Sequence, residues 1–264
     1  MQNQIETLSV GTGDEARAIA VRNRSGSTPG FVWLGGYRSD MDGTKVVKLD
    51  VWCGTQGYSC CRHDYSGHGL SGGDFRDGTI SRWLEESLTV FETFTSGPQI
   101  LVGSSMGGWI ALRMAQELAR RNKGERLAGM LLIAPAPDFT SELMWPQLSE
   151  LQKEQIRTKG QLEEPSAYSS EPNIYTRALF EDGERNRVLD GIIDPGCPVH
   201  ILQGMADPDV PWQHAMRLSE HLPLGDVSMT LVKDGDHRLS RPQDIDLMLR
   251  LAAMLASASA APNS

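Results

Sequence analysis

One pentapeptide constrains this chain more than any other feature: Gly103-Ser104-Ser105-Met106-Gly107, together with its flanks. The apolar residues 100–102 predict a buried strand before it, and apolar residues recur at helical spacing over 109–118 after it. A strand, a sharp turn and a helix are the context of a nucleophile elbow, which exposes its central residue at the end of a sheet. The outer glycines lack a Cβ and leave room for neighbouring backbone. The segment therefore predicts Ser105 as a nucleophile; the alternative is an ordinary strand-to-helix turn in a chain with 27 glycines.

Length and charge narrow the classes of protein that this chain could be. Its 264 residues suit one large α/β domain, and no Pro/Gly/Ser-rich linker divides them. The net charge of −9 argues against nucleic acid as a partner, because phosphate binding needs a basic surface. We expect a single domain over residues 1–264 and no nucleic-acid partner, and we find no signal for an oligomeric state.

Targeting signals and cysteines bear on the compartment. No run of 18 or more apolar residues predicts a membrane span, and the N-terminus has no positively charged and apolar signal region. The four cysteines include no Cys-x-x-Cys pair, so we expect buried free thiols rather than a metal site. These observations favour a cytoplasmic protein without a membrane span, and we expect no metal and no cofactor.

Along the chain, apolar segments alternate between strand-like and helix-like patterns. Strands are predicted at 31–34, 58–62, 100–102, 127–134, 199–202 and 227–232, and helices at 44–56, 80–94, 212–222, 242–255 and after the pentapeptide. This alternation predicts an α/β fold with a mostly parallel central sheet flanked by helices. From Pro135 to Asp194 the alternation stops, and helical patches lie among prolines and charges without strands. We therefore expect residues 135–194 to be a helical lid insertion over the sheet.

A serine hydroxyl needs a base within hydrogen-bond reach, and histidine has a suitable pKa. His237 directly follows the last predicted strand, and functional groups in open parallel sheets gather at the carboxyl ends of strands. His68, in a glycine-rich loop after another strand, is the alternative base. The carboxylate that orients the base is expected after the strand at 199–202, where Asp207 leads and Asp209 is the alternative. The order Ser…Asp…His is that of α/β-hydrolases.

An oxyanion hole needs two backbone N–H donors. We expect one from Met106, which follows the proposed nucleophile, and the other from Tyr37 in the turn after the strand at 31–34. Many α/β-hydrolases have His-Gly in that turn, and this chain has Gly35 in place of the histidine. Because the donor is a backbone group, this departure leaves the prediction unchanged.

Five segments carry a more specific resemblance: GYRSDMDGTK (36–45), DYSGHG (64–69), GPQILVGSSMGGW (97–109), VPW (210–212) and DHR (236–238). They resemble the branch of α/β-hydrolases that includes the mitochondrial acyl-glucuronide esterase and palmitoyl-protein thioesterase. The resemblance extends from about Phe31 to Leu255 and implies the α/β-hydrolase fold, with Ser105, Asp207 and His237 as catalytic triad. Without a transit peptide, the chain looks like a bacterial relative. The substrate is not implied, because such enzymes diverge in the insertion.

The sequence therefore predicts a cofactor-free serine hydrolase that cleaves a small-molecule carboxylic ester or thioester through an acyl-enzyme on Ser105. One alternative is a serine peptidase of the same fold, resembling an aminopeptidase, which would need a carboxylate of the insertion to hold the substrate amine. The candidates are Glu142, Glu150, Glu154, Glu163 and Glu164. Another alternative is a non-catalytic ligand-binding module on a hydrolase scaffold. Four aromatic residues could line the substrate pocket or pack in the core: Trp109, Trp145, Tyr175 and Phe180.

Overall fold

A large, mostly parallel sheet organises the chain, whose computed structural model describes residues 4–165, 172–223 and 226–260. The strands are β1 (Ile5–Val10), β2 (Arg17–Arg24), β3 (Ser27–Leu34), β4 (Tyr58–His63), β5 (Gln99–Ser104), β6 (Leu127–Ile133), β7 (Gln161–Glu164), β8 (Asn173–Thr176), β9 (Val199–Gly204) and β10 (Val227–Val232). Within the described residues, eight of them pair in the order β1-β2-β4-β3-β5-β6-β9-β10. Only the pairs β1–β2 and β2–β4 are antiparallel among these. The predicted mostly parallel sheet is confirmed.

Helices cover both faces of this sheet. They are α1 (Thr44–Gln56), α2 (Ile80–Phe94), α3 (Met106–Arg120), α4 (Glu150–Lys159), α5 (Arg177–Arg185), α6 (Trp212–His221) and α7 (Pro242–Ala260). Helices α1 and α7 pack in one apolar cluster, and α2, α3 and α6 pack in another. In β3, Phe31 and Trp33 belong to the first cluster and Val32 and Leu34 to the second, because successive side chains of a strand point to opposite faces. The central strands are therefore buried on both faces.

The insertion contains helices, as expected, but the expectation that it has no strands is wrong. Between residues 135 and 194 the chain forms a short π-helical turn at Thr140–Met144, α4 and α5, but also β7 and β8, which pair antiparallel. Four-residue strands are too short to give a periodic signal, and β7 is mostly polar, with Leu162 as its buried residue. This segment has a small apolar cluster of its own, formed by Leu148, Ile156, Leu162 and Phe180. Residues 166–171 of the predicted insertion lie outside the described residues.

The predictions of buried free thiols and of no membrane span can be compared with the burial of the cysteines and the composition of the helices. Cys53, Cys60 and Cys61 are buried free thiols, as expected, whereas Cys197 is only partly buried. Cys60 and Cys61 lie in the apolar clusters on opposite faces of the sheet. Over the described part of the chain, no helix combines the length and apolarity needed to cross a membrane.

Candidate active site

The turn between β5 and α3 holds Ser105 in a conformation that few residues adopt. Its backbone has φ 55° and ψ −119°, which lies outside the favoured regions for L-residues and costs about 1–3 kcal/mol. A Cβ on Gly103 would lie 2.4 Å from the Gly107 carbonyl oxygen, and one on Gly107 would lie 2.0 Å from the Leu34 carbonyl oxygen. Both positions therefore require glycine, as the sequence predicts. The backbone N–H of Ser105 donates to the Ile133 carbonyl at 2.9 Å and ties the turn to β6.

Three predicted side chains lie in one hydrogen-bonded row. The distance between Ser105 Oγ and His237 Nε2 is 3.1 Å, and the distance between His237 Nδ1 and Asp207 Oδ2 is 2.8 Å. Ser105 follows β5, Asp207 follows β9 and His237 follows β10, so all three lie at the carboxyl edge of the parallel strands. When Nδ1 carries the proton and donates it to Asp207, Nε2 is free to accept the Ser105 hydroxyl proton.

Asp207 is fixed by more than its bond to the imidazole. Its Oδ1 accepts the backbone N–H groups of Asp209 and Val210, each at 2.8 Å, and its Oδ2 also accepts from Gln203 Nε2 at 3.2 Å. The side chain is fully buried. Asp209 is exposed, and its backbone N–H helps to orient Asp207. The structure thus brings the leading carboxylate, rather than the alternative, into contact with Nδ1.

The alternative base, His68, has its two ring nitrogens engaged elsewhere. The Arg38 backbone N–H donates to its Nε2 at 3.1 Å, and its Nδ1 lies 3.2 Å from the Ser66 carbonyl, to which it donates. Burial is the largest of the effects that lower the pKa of His68, to about 4. These hydrogen bonds, and ring contacts with Phe75 and Trp83, hold His68 within its own turn.

The two predicted oxyanion donors lie beside Ser105. Met106 begins α3, so its N–H has no acceptor within the helix and lies at the positive end of the helix dipole. The turn that carries Tyr37 approaches closely, because a Cβ on Gly36 would lie 3.4 Å from the Ser105 Cβ. Tyr37 and Met106 line the same cavity as Ser105 and His237. This position allows both backbone N–H groups to face an oxygen that develops charge at Ser105.

Tyr37 also connects the oxyanion turn to the insertion. Its phenol O–H donates to the Ile174 carbonyl of β8, and its ring stacks on Tyr175 with centroids 5.4 Å apart and planes 11° apart. Burial raises the pKa of the Tyr37 phenol well above its usual value, which keeps this group a neutral donor. The neighbouring Arg38 donates from Nη1 to the Pro172 carbonyl at 2.6 Å.

A cavity of about 450 Å³ opens onto Ser105 and His237 beneath the insertion. Its apolar lining from this segment comprises Ala136, Phe139, Leu143, Met144, Leu148 and Tyr175. Of the four aromatic residues considered from the sequence, Tyr175 therefore lines the cavity. Trp109 is fully buried and donates from Nε1 to the Asn186 carbonyl at 2.9 Å, while Trp145 and Phe180 pack against each other with centroids 5.3 Å apart.

A second cavity, of about 400 Å³, also opens onto Ser105 and His237 but has a different lining. Its charged residues are Arg38, Asp40, Lys45 and Arg238. Sequence reasoning missed this cavity. The signal available was the segment GTK at 43–45, which belongs to a motif that carries the resemblance but to which no role was assigned.

Among the described residues, one group of side chains lies close enough to hold a metal: Asp207, Asp209 and His237, with ligand atoms within 4.8 Å of one another. The carboxylate of Asp207 already takes part in hydrogen bonds with three N–H donors besides the imidazole, and a carboxylate has about four lone-pair sites. This arrangement favours orientation of the imidazole over binding of a metal ion.

Comparisons with known proteins extend over the strands that carry this site. The model of the alpha/beta hydrolase family matches residues 53–246. The palmitoyl-protein thioesterase ABHD10, mitochondrial, of Mus musculus is 36% identical over 247 residues, which are 93% of this chain and 81% of that protein. A putative hydrolase from Agrobacterium vitis S4 is 56% identical, with a TM-score of 0.94 over 97% of this chain and 100% of the other. The structure of alpha/beta hydrolase domain-containing protein 10 from mouse is 31% identical, with a TM-score of 0.83 over 96% and 99%.

Proposed function

This chain belongs to the alpha/beta hydrolase family, and we propose that it is a serine hydrolase that cleaves carboxylic esters or thioesters through an acyl-enzyme on Ser105. The observation that carries the proposal is the row of hydrogen bonds from Ser105 through His237 to Asp207. A hydroxyl in a strained turn, an imidazole at 3.1 Å and a buried carboxylate supply the nucleophile, the base and the group that orients the base.

The reaction begins when His237 Nε2 takes the proton of the Ser105 hydroxyl and Oγ attacks the acyl carbon. The tetrahedral intermediate places its oxyanion against the backbone N–H groups of Met106 and Tyr37, each of which contributes about 3 kcal/mol in related sites. The imidazolium, stabilised by Asp207, then donates its proton to the leaving alcohol or thiol. In the second half, His237 activates a water molecule that hydrolyses the acyl-enzyme and regenerates the serine.

The cavity beneath the insertion, which we call the acyl cavity, is suited to an apolar acyl group. Its volume of about 450 Å³ is within the range of small-molecule sites, and its lining from residues 136–148 is largely apolar. We propose residues 135–194 as a lid within one domain of residues 1–264, now with β7 and β8 beside its helices. The relative from mouse is named a palmitoyl-protein thioesterase, which supports an acyl thioester as the first substrate to test here.

The peptidase alternative rests on a different contact. Glu164 lines the acyl cavity and accepts from Gln152 Nε2 at 2.7 Å, so it could hold a substrate amine. Glu142, by contrast, is paired with Arg187 and Arg217. Hydrolysis of aminoacyl anilides in preference to acyl thioesters, lost in Glu164→Gln, would favour the peptidase.

Thioester turnover tests the proposed function. Purified protein should release thiol from octanoyl thioesters, and Ser105→Ala should reduce kcat by roughly 10³–10⁶-fold, as in other serine hydrolases whose nucleophile is removed. Ser141→Ala, a serine of the insertion that does not line the acyl cavity, is the matched control and should keep the rate. Full turnover by a folded Ser105→Ala protein would refute the assignment. Tight binding of a thioester without turnover by the parent protein would favour the binding-module alternative.

A further inference from the structure

The second cavity differs from the acyl cavity in its charge. Three basic residues, Arg38, Lys45 and Arg238, and one acidic residue, Asp40, provide its charged lining. This excess of positive charge lies beside Ser105 in a chain whose net charge is −9. A basic cavity in an acidic protein raises the local concentration of anions at the place where they are bound.

Lys45 is the central cation of this cavity. It lies in the first turn of α1, is half-buried, and donates from Nζ to the Arg238 carbonyl, one residue after His237. An ammonium group has three donors, so two remain after this bond. Over the described part of the chain, no carboxylate lies within ion-pair distance of Nζ. Lys45 therefore faces the cavity as a positive charge that lacks an anionic neighbour at contact distance.

The other two cations are held in different ways. The Arg38 guanidinium lies 5.2 Å from the Phe75 ring centroid and donates to Pro172, which directs it partly toward the insertion. Arg238 is exposed at the rim. The hydroxyls of Ser39 and Ser240 donate to the Gly36 and Arg238 carbonyls, so the Thr44 hydroxyl is the one of these three that adds a donor to the lining. Ammonium and hydroxyl donors together are suited to carboxylate or phosphate oxygens.

We propose that the second cavity is the leaving-group site, and that Lys45 selects substrates whose leaving alcohol or thiol carries a carboxylate or a phosphate. The two cavities meet at Ser105 and His237. The charged residues of the first are acidic, Glu164 and Asp209, beside the apolar side chains of the insertion, whereas those of the second are mostly basic, as an anionic leaving group requires. This inference rests on the proposed hydrolysis, because it assigns the second half of the same substrate.

In the reaction, the Ser105 Oγ–carbon bond forms and the carbon–sulfur or carbon–oxygen bond of the substrate breaks. The leaving sulfur or oxygen takes the proton that His237 Nε2 received from Ser105, so the thiol or alcohol departs neutral at that atom. Its distant anion stays ionised throughout and is held by Lys45. No oxidant or reductant is involved.

Matched thioesters test the selection. Octanoyl thioesters of mercaptopropionate, of mercaptopropionamide and of mercaptoethyl phosphate share one acyl group and differ in the charge of the leaving thiol. Dividing each kcat/KM by the rate of hydrolysis in hydroxide solution removes differences in intrinsic reactivity. We expect the anionic thioesters to exceed the neutral amide by about ten- to hundred-fold, the value of a hydrogen bond to a charged group. Comparing the mercaptopropionate thioester with the mercaptoethyl phosphate thioester shows whether a carboxylate or a phosphate fits the second cavity better.

Variants of α1 assign the preference to one charge. Lys45→Gln should bring the ratio of anionic to neutral kcat/KM close to one, Lys45→Arg should retain part of it, and Lys48→Gln, an exposed lysine of the same helix, should retain all of it. Using a ratio within each variant cancels any displacement of the His237 loop caused by loss of the bond to Arg238. A parent ratio at or below one, or an unchanged ratio in Lys45→Gln, overturns the proposal.

The parent protein provides an independent measurement that needs no variant. Burial is the largest of the effects that lower the pKa of Lys45, to about 8; Arg238 lowers it further, whereas Asp236, Asp207 and Asp244 oppose the shift. Because kcat/KM reports ionisation of the free enzyme, the ratio should fall as pH rises through about 8. A ratio that stays constant across this range contradicts the assignment to Lys45.

The same substrates separate this inference from the proposed function. Equal hydrolysis of neutral and anionic thioesters, abolished by Ser105→Ala, leaves the proposed function intact and overturns the leaving-group site alone. Absence of hydrolysis of every thioester by the folded parent protein overturns both.

Discussion

The imidazole of His237 can act as a base only while its Nε2 carries no proton, and its hydrogen bond to Asp207 sets that tautomer. In Asp207→Asn, the amide oxygen would keep the backbone N–H groups of Asp209 and Val210, leaving the NH₂ group to face His237. Nδ1 would then be the acceptor and the proton would move to Nε2. We expect kcat to fall by roughly 10⁴-fold with little change in folding, as measured by thioester turnover and thermal unfolding.

Asp209→Asn is the matched control for this prediction, because its contact with Asp207 is through the backbone and survives the substitution. Its kcat should stay near that of the parent. Equal losses in the two variants would show that the local negative charge, rather than the imidazole tautomer, controls the rate.

For single residues, the sequence predicts where the catalytic candidates lie in the fold better than it predicts which other residues they contact. Ser105, Asp207 and His237 each follow a parallel strand, so chain order alone indicates that they meet at one edge of the sheet. The contacts that hold Lys45 in the second cavity could not be inferred in that way. They join the first turn of α1 to a loop that follows β10, nearly two hundred residues later in the chain.

At the scale of elements, regular segments of the sheet region are predictable and the insertion is not. The helices at 44–56 and 80–94 and the strand at 227–232 have the predicted bounds, because apolar residues recur in each at the period of a helix or of a strand. Strands β7 and β8 have four residues each, and their pairing with each other takes the place of periodic burial. Strand β1 exposes most of its residues at the edge of the sheet and likewise gives no apolar run.

The insertion should control the length of the acyl chain. Leu143 lines the acyl cavity, so Leu143→Trp should shorten it and lower kcat/KM for palmitoyl relative to acetyl esters. Each methylene excluded from apolar surroundings costs about 0.8 kcal/mol, roughly fourfold in kcat/KM. A series of p-nitrophenyl esters from acetyl to palmitoyl measures the profile.

Leu151 provides the control within the same segment, because it lies on α4 with 84% of its surface exposed. Leu151→Trp should leave the chain-length profile unchanged. A profile that is the same in the parent and in Leu143→Trp would contradict the proposed role of the insertion as a lid.

At the scale of the whole molecule, buried neutral histidines link stability to pH. His63 Nε2 donates to Ser87 Oγ at 3.2 Å, since the Ser87 hydroxyl proton is donated to the Trp83 carbonyl, and burial lowers the pKa of His63 to about 4. In the unfolded chain a histidine has a pKa of about 6.5, so the unfolded state binds more protons between these values. The free energy of unfolding should therefore fall as pH falls through this window, by up to about 1.4 kcal/mol per pH unit for this residue.

Comparing variants separates the effect of His63 on stability from the effects of other titrating residues. The carboxyl of Asp138, whose pKa burial raises to about 6, has the opposite dependence below that pH. His63→Gln should flatten the dependence of Tm on pH relative to the parent, whereas His221→Gln, at the end of α6, should not. An unchanged slope in a folded His63→Gln protein would show that His63 is not a source of the acid sensitivity.

The assignment of Ser105 as the nucleophile can be measured without any substrate, by mapping a fluorophosphonate adduct with mass spectrometry of peptides. We expect an adduct on Ser105 in the parent protein, retained in Ser104→Ala and absent from both Ser105→Ala and His237→Ala. An adduct on another serine, or labelling and thioester turnover that persist in a folded Ser105→Ala protein, would contradict it.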